Sequence, residues 1–380
     1  MTSRSKDAIV IGGGIAGASI AFRLAEKGLS VTLLEKGRVG EQASGRAGGG
    51  VRQQNRHPAE LPLAMEAIKI WSRMEEELEC DVGYRRNGNI RLLFTSEELE
   101  GHSRIVSRER KAGLPVEILT ADEIRRRIPC ISDEVELLGG KYCPSDGTAN
   151  PLLVVKAICR SARRKGVEIR ENEPVQKVKF GNGKVEAIVT GTAEYRADVY
   201  VNAAGSWAQG LCRLAGLNFP QKVFRAPILL TEKLPPLIGP FVSFEDLYLR
   251  QAIEGNIHLG PRSVYNSSEN SFDQSSQLAE FAHSGRLVPK IFPILNQVTI
   301  IRAFAGLIHK TPDEIPILDR APTLSNFFLA AGFSGHGFCL GPAVGKVMAE
   351  WIADGRSSIE LGGLKWTRFE SIYDHVSAGL

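Results

Sequence analysis

The chain has 380 residues, 24% charged and 43% hydrophobic, which is the composition of an ordinary soluble globular protein with room for one large or two closely joined domains. Its 47 basic residues nearly cancel 43 acidic ones, leaving a formal net charge of +4, which argues against dedicated nucleic-acid binding. Six cysteines (Cys80, Cys130, Cys143, Cys159, Cys212, Cys339) form no CxxC pair or Cys/His cluster, and no apolar run is long enough to span a membrane; no metal centre, disulfide framework or transmembrane segment is expected, and the cytoplasm is the expected compartment.

The first predicted unit is AIVIGGGIAGASIAFRLAEKGLSVTLLEK, residues 8–36. Residues 8–11 are a short apolar run, as in a strand buried on both faces of a parallel sheet. Residues 18–27 have helical periodicity stopped by Gly28, and 30–34 form the next strand. Gly12, Gly14 and Gly17 make a GxGxxG turn with Ile15 and Ala16 inside it. The first glycine permits the tight turn, the second lets backbone approach a pyrophosphate, and the third lets the helix pack on the strand. The helix start offers unsatisfied N–H groups and positive dipole to phosphates. Glu35, followed by Lys36, ends the second strand, where a carboxylate can accept from both ribose hydroxyls of an adenosine.

The next stretch, GRVGEQASGRAGGGVRQQNR (37–56), is again rich in glycine and arginine and must leave the second strand near the cofactor. A nicotinamide cofactor has no need of it, whereas the ring and ribityl chain of FAD call for extra backbone donors, so FAD is favoured. Segments 84–95, 178–190 (with a hairpin turn at Asn182-Gly183) and 241–262 alternate and turn like antiparallel strands. The basic excess between Arg104 and Arg127 is interleaved with Glu109, Glu117, Asp122 and Glu123 and reads as a solvated helical face. VYVNAAGSWAQGL (199–211) and FFLAAGFSGHGF (327–338) repeat the pattern of strand running into glycine, and the serine-rich run 263–276 reads as a surface loop. The fold class expected is α/β: a Rossmann-like FAD-binding domain with a doubly wound parallel sheet (1–83, 146–218 and 311–380), plus an α+β substrate domain with a mostly antiparallel sheet (84–145 and 219–310).

EQASGRAGGGVRQQNRH, VNAAGSWA, KTPDEIPILD and AAGFSGHGFCLGPAVG together resemble the D-amino-acid oxidase family of FAD enzymes, in the branch of monomeric sarcosine oxidase, glycine oxidase, hydrogen cyanide synthase and the β subunits of proline and opine dehydrogenases. The resemblance covers nearly the whole chain. It implies hydride transfer to flavin from the carbon bearing an amine nitrogen, giving an imine that water hydrolyses. It places the pyrophosphate on Gly12, Gly14 and Gly17 and the ribose on Glu35. Ser44, Gly45, Arg46, Gly48 and Gly49 fall on the ring and ribityl side, Val175 at the adenine, and Ala204, Gly205 and Trp207 nearby. The C-terminal turn, Gly332, Gly335, His336, Gly337 and Phe338, falls at the flavin pyrimidine edge, where a helix dipole and backbone N–H groups stabilise charge on reduction.

Four positions depart from the family's pattern. A cysteine that bonds FAD covalently in sarcosine oxidase falls near Gly306, so FAD is expected to be noncovalent. A carboxylate-holding lysine falls at Cys339, which reads as a packing residue or a redox-active neighbour; glycine oxidase's arginine falls at Ile308, and an oxygen-activating lysine at His258. The electrons therefore go to O2 or to an electron-accepting partner subunit. For the carboxylate of a small amino acid or amine substrate, Arg52 is the first candidate, with Arg250, Arg262 and Arg302 as others. Tyr248 is placed beside the substrate, and His336 reads as part of the flavin environment and not as a general base. A pyridine-nucleotide dehydrogenase and a non-catalytic flavoprotein assembly factor are the alternatives.

Overall fold

A computed structural model describes residues 5–261, 264–267 and 275–369. Arg262 and most of the serine-rich run lie outside them. The first sheet has the strand order Ile317–Arg320, Phe327–Ala331, Ala197–Asn202, Lys6–Ile11, Val31–Leu34, Glu168–Arg170. Five strands are parallel, and Ile317–Arg320 runs antiparallel at the edge. Ala8, Ile9 and Val10 in the central strand have no solvent exposure, which is why this strand reads as a continuous apolar run.

One face of this sheet is covered by helices Ile15–Glu26, Pro151–Arg164 and Gly337–Asp354. The first and last cross in close contact, because a Cβ at Gly345 would stand 2.5 Å from that of Ser19 and one at Gly341 2.7 Å from Ile15 Cγ2. The other face carries the short helix Ala208–Leu214 and an antiparallel meander of Val175–Gly181, Lys184–Thr190 and Glu194–Tyr195. Asn182 (φ 50°) and Gly183 (φ 71°) form the meander's first turn, the positive pair that a two-residue type I′ hairpin requires.

The second sheet is built from both remaining segments of the chain. Lys222–Lys233 pairs with Ile300–Lys310, Asn256–Pro261 and the short Tyr265–Asn266; Leu247–Gln251 and Phe241–Phe244 follow, and Asn89–Leu93, Gly139–Cys143 and Glu117–Thr120 complete it. Only Phe241–Phe244 beside Asn89–Leu93 is parallel among these pairs. Its apolar face closes over Ile90, Phe244, Leu249 and Phe292. Helix Ser96–Lys111, capped by Thr95, carries part of the basic run on an open surface, but Glu109 turns inward with 1% exposure and pairs with fully buried Lys141 at 2.5 Å. The solvated-face expectation therefore fails at that residue, because a lysine from another strand draws it into the core.

Candidate functional site

A cavity of about 700 Å³ runs between the two sheets. At one end lies the GxGxxG turn. Gly12 (φ +112°) has no room for a side chain against the Ala203 carbonyl, and a Cβ on Gly17 would collide with the Gly12 oxygen. Gly17 thus serves helix packing, while Gly12, Gly14, Ile15 and Ala16 line the cavity. Gly14 caps helix Ile15–Glu26 without a side chain of its own, leaving N–H groups of the first turn beyond Ile15 for a ligand. Ser44 reaches this end, where its hydroxyl accepts from Ile15 N at 2.9 Å. It therefore sits at the helix start as well as in the loop expected on the flavin side. Glu35 accepts from Gly13 N (2.6 Å) and Gly37 N (2.8 Å). Burial raises its carboxyl above the usual range against those bonds. Lys36 lies over the Trp207 ring, its pKa drawn down by burial to about 8. Val175, Ala204, Gly205 and Trp207 line the same end.

Arg46, Gly48 and Gly49 line the cavity, facing Gly306, where an added Cβ would stand a tight 3.1 Å from Arg46 Cβ. Gly45 faces a smaller cavity of about 190 Å³ on the far side of this loop. Arg250 and Arg302 line that smaller cavity and not the large one. Arg250 is 4% exposed and donates through Nε to the Gly48 carbonyl, so it holds the loop from behind; Arg302 is exposed and lies over Phe304. Neither is brought to the large cavity beside Arg52. His258 also belongs to the smaller cavity.

Arg52, Tyr248 and His336 all line the large cavity, and Arg52 lies near enough to His336 to act on it electrostatically. Tyr248 stacks on Phe241 (centroids 5.4 Å apart, 15° between planes) and fills the space beside Gly48. The backbone of Arg52 faces the Cys339 thiol, and its guanidinium donates to the Gln54 and Asn55 carbonyls, the latter at 3.1 Å. Cys339 is 2% exposed and its thiol is raised by burial, so the packing reading describes it. The turn before helix Gly337–Asp354 is bent by positive φ at Gly332, Ser334 and Gly335, and it presents the helix start, with no side-chain cap, to the cavity. Gly335, Gly337 and Phe338 line it; Gly332 packs under Thr311.

Sequence reasoning missed three residues here. Arg56 is 4% exposed, donates through Nε and Nη2 to the Arg52 carbonyl, and leaves Nη1 buried without a partner at the cavity wall. Glu60, 1% exposed, meets His336 Nδ1 at 3.0 Å. His309 lines the cavity with both ring nitrogens unpartnered, and burial lowers its pKa to about 4. Arg56 lies in the same RQQNR stretch as Arg52, but a choice between two arginines four residues apart needs the loop's path.

Two helix starts without side-chain caps, a glycine cradle, and a carboxylate fixed at the end of the second strand all open on one elongated cavity. This donor set fits a dinucleotide carrying a ring system. Residues 7–351 match the family described as DAO, FAD dependent oxidoreductase. The chain belongs to this family. Within it, one of the subunits of the opine oxidase of Rhizobium meliloti is 30% identical over 96% of this chain and 98% of that relative. The solved structure of L-proline dehydrogenase from P. horikoshii superposes with a TM-score of 0.92 at 28% identity, covering 98% of this chain and 99% of that one. The pyruvate dehydrogenase phosphatase regulatory subunit of Mus musculus is 27% identical over 96% of this chain, which spans only 43% of it. The chain thus spans less than half the length of some curated relatives it matches. FAD is the cofactor of the DAO family, and the donor set of this cavity fits it. Among the described residues, no helix is long and apolar enough to cross a membrane.

Proposed function

We propose that this chain is a noncovalent FAD-dependent oxidoreductase that oxidises the CH–N bond of a small amino acid or N-substituted amino acid, releasing an imine that hydrolyses. The observation that carries this reading is Arg56: a buried guanidinium nitrogen without a partner, beside Arg52 and His336, in a residue that lines the cavity. A buried cationic donor calls for an anionic acceptor, and a substrate carboxylate is one. When bound, FAD supplies the two-electron acceptor for the substrate's hydride. Gly12, Gly14 and the start of helix Ile15–Glu26 would hold its pyrophosphate, Glu35 its ribose, and the turn 332–337 its pyrimidine edge. Arg52 and Arg56 orient the substrate by its carboxylate, and Tyr248 and Phe338 close the wall and exclude water.

The division of strands between two sheets supports a cofactor domain of 1–83, 146–218 and 311–380 and a substrate domain of 84–145 and 219–310. All six cysteines are free, which supports the cytoplasm.

A second reading concerns the electron acceptor. The opine oxidase relative, by its name one part of a larger enzyme, matches this chain nearly end to end, and His258, at the position of the oxygen-activating lysine, faces the smaller cavity. Both favour a partner subunit over O2. The test of both readings is anaerobic addition of sarcosine, glycine, proline, hydroxyproline, D-amino acids and opines to the yellow protein, followed by air. Bleaching supports the enzyme reading, slow reoxidation the partner, and fast reoxidation an oxidase.

A further inference from the structure

His336 and Glu60 come from distant parts of the chain and meet where two helices begin. His336 is the residue before Gly337–Asp354, and Glu60 the residue before Leu61–Trp71, at a position where a negative charge is favoured by the helix dipole. Their 3.0 Å contact joins Glu60 Oε1 to His336 Nδ1. An ionised carboxylate can only accept, so Nδ1 carries the hydrogen and Nε2 keeps its lone pair. No partner to Nε2 is present among the described residues, and the ring, its side chain 22% exposed, lines the cavity.

We propose that Glu60 is a positioning residue that fixes His336 in the Nδ1–H tautomer, so that Nε2 takes a proton from the substrate's ammonium nitrogen before the neighbouring carbon is oxidised. The inference rests on the function proposed above. In this step one N–H bond of the substrate breaks and one Nε2–H bond forms. The positive charge moves onto the imidazole beside Glu60, and the proton passes to solvent after product leaves. The step itself transfers no electrons.

The charged groups facing His336 are Glu60, Arg56 and Arg52. Burial and then the Arg56 charge pull the imidazole down to about 4, against Glu60. Burial works to raise the Glu60 carboxyl, but the His336 bond and the charges of Arg56 and Arg52 outweigh it, so Glu60 stays ionised. A substrate carboxylate on the two arginines offsets the charge that depresses His336. The base is therefore strengthened when the proton donor arrives.

Two measurements on the holoprotein test this. Nitrogen-15 NMR of histidine-labelled protein, with the His336 signal assigned by its loss in H336N, should show Nδ1 protonated and Nε2 bare at neutral pH, and a tautomer mixture in E60L. A protonated Nε2 in the wild type overturns the proposal. Anaerobic flavin reduction followed against pH should fall about 100-fold at pH 7 in H336N and recover as the amine loses its proton unaided. E60L should shift the profile the same way by less, and E60Q, which keeps an acceptor, less still. A loss that is flat across pH, in H336N and E60L alike, means a structural role and overturns the proposal. If no amine reduces the flavin, the functional reading fails, while the tautomer measurement still decides the dyad.

Discussion

The Arg52 backbone and the Cys339 thiol face each other at 3.3 Å, the amide directed to sulfur and the thiol to the carbonyl. This contact ties the flavin-side loop to the head of the C-terminal helix, next to Trp71, whose indole donates to the Cys339 carbonyl at 2.8 Å. Serine at 339 keeps the contact, and C339S should be tolerated. Lysine there would bury a charge beside two guanidiniums, and C339K should cost about 3–5 kcal/mol of stability. Thermal melting of the two holoproteins checks the contrast.

Arg56 is expected to dominate substrate affinity. R56M removes charge-assisted hydrogen bonds of about 1.5–3 kcal/mol, a loss of roughly tenfold to a hundredfold in amino-acid binding, with flavin content unchanged. R302A, at an exposed position outside the large cavity, should bind substrate as the wild type does. Spectral titration with a non-reacting carboxylate measures both.

Gly17 tests the cofactor cradle. Because the added methyl of G17A would collide with the Gly12 carbonyl, the helix must move off the turn. The variant should purify with much less flavin than the wild type, as read from the ratio of flavin to protein absorbance.

Asp146 should make stability fall as pH rises. It accepts from Gln53 N at 2.9 Å, its Oδ2 has no partner, and burial pushes its pKa up to about 6 from 3.8. A carboxyl raised in the fold holds its proton more tightly there than in the unfolded chain. Its contribution is therefore complete below about 3.8 and is lost as pH rises through 6, amounting to roughly 3 kcal/mol. His309 and His336, both lowered to about 4, act in the opposite direction over an overlapping range. The difference in melting between wild type and D146N, followed from pH 4 to 7, isolates the aspartate.

Much of the cofactor end was legible because its requirements are local. A glycine turn between a buried strand and a helix, followed by Glu35, is specified within thirty residues, and so is the Asn182-Gly183 hairpin. The substrate end was not. Arg250 and Tyr248 share one side of their strand, yet the glycine loop passes between them, so one faces the large cavity and the other grips Gly48 from behind. Glu60 precedes an apolar helix and gives no sign of function until His336 arrives from the other end of the chain. Glu109 reads as one charge in a basic run, and only Lys141 reveals it as core.

The central claim is that an amino acid held by its carboxylate reduces the flavin of this chain. The most direct measurement is anaerobic reduction of the holoprotein by matched pairs, sarcosine against dimethylamine and proline against pyrrolidine. Bleaching by the carboxylate-bearing member of a pair, lost or strongly slowed in the other and in R56M, is the expected result. Flavin that stays yellow with every amino acid, or that bleaches equally well with the decarboxylated amines, would contradict it.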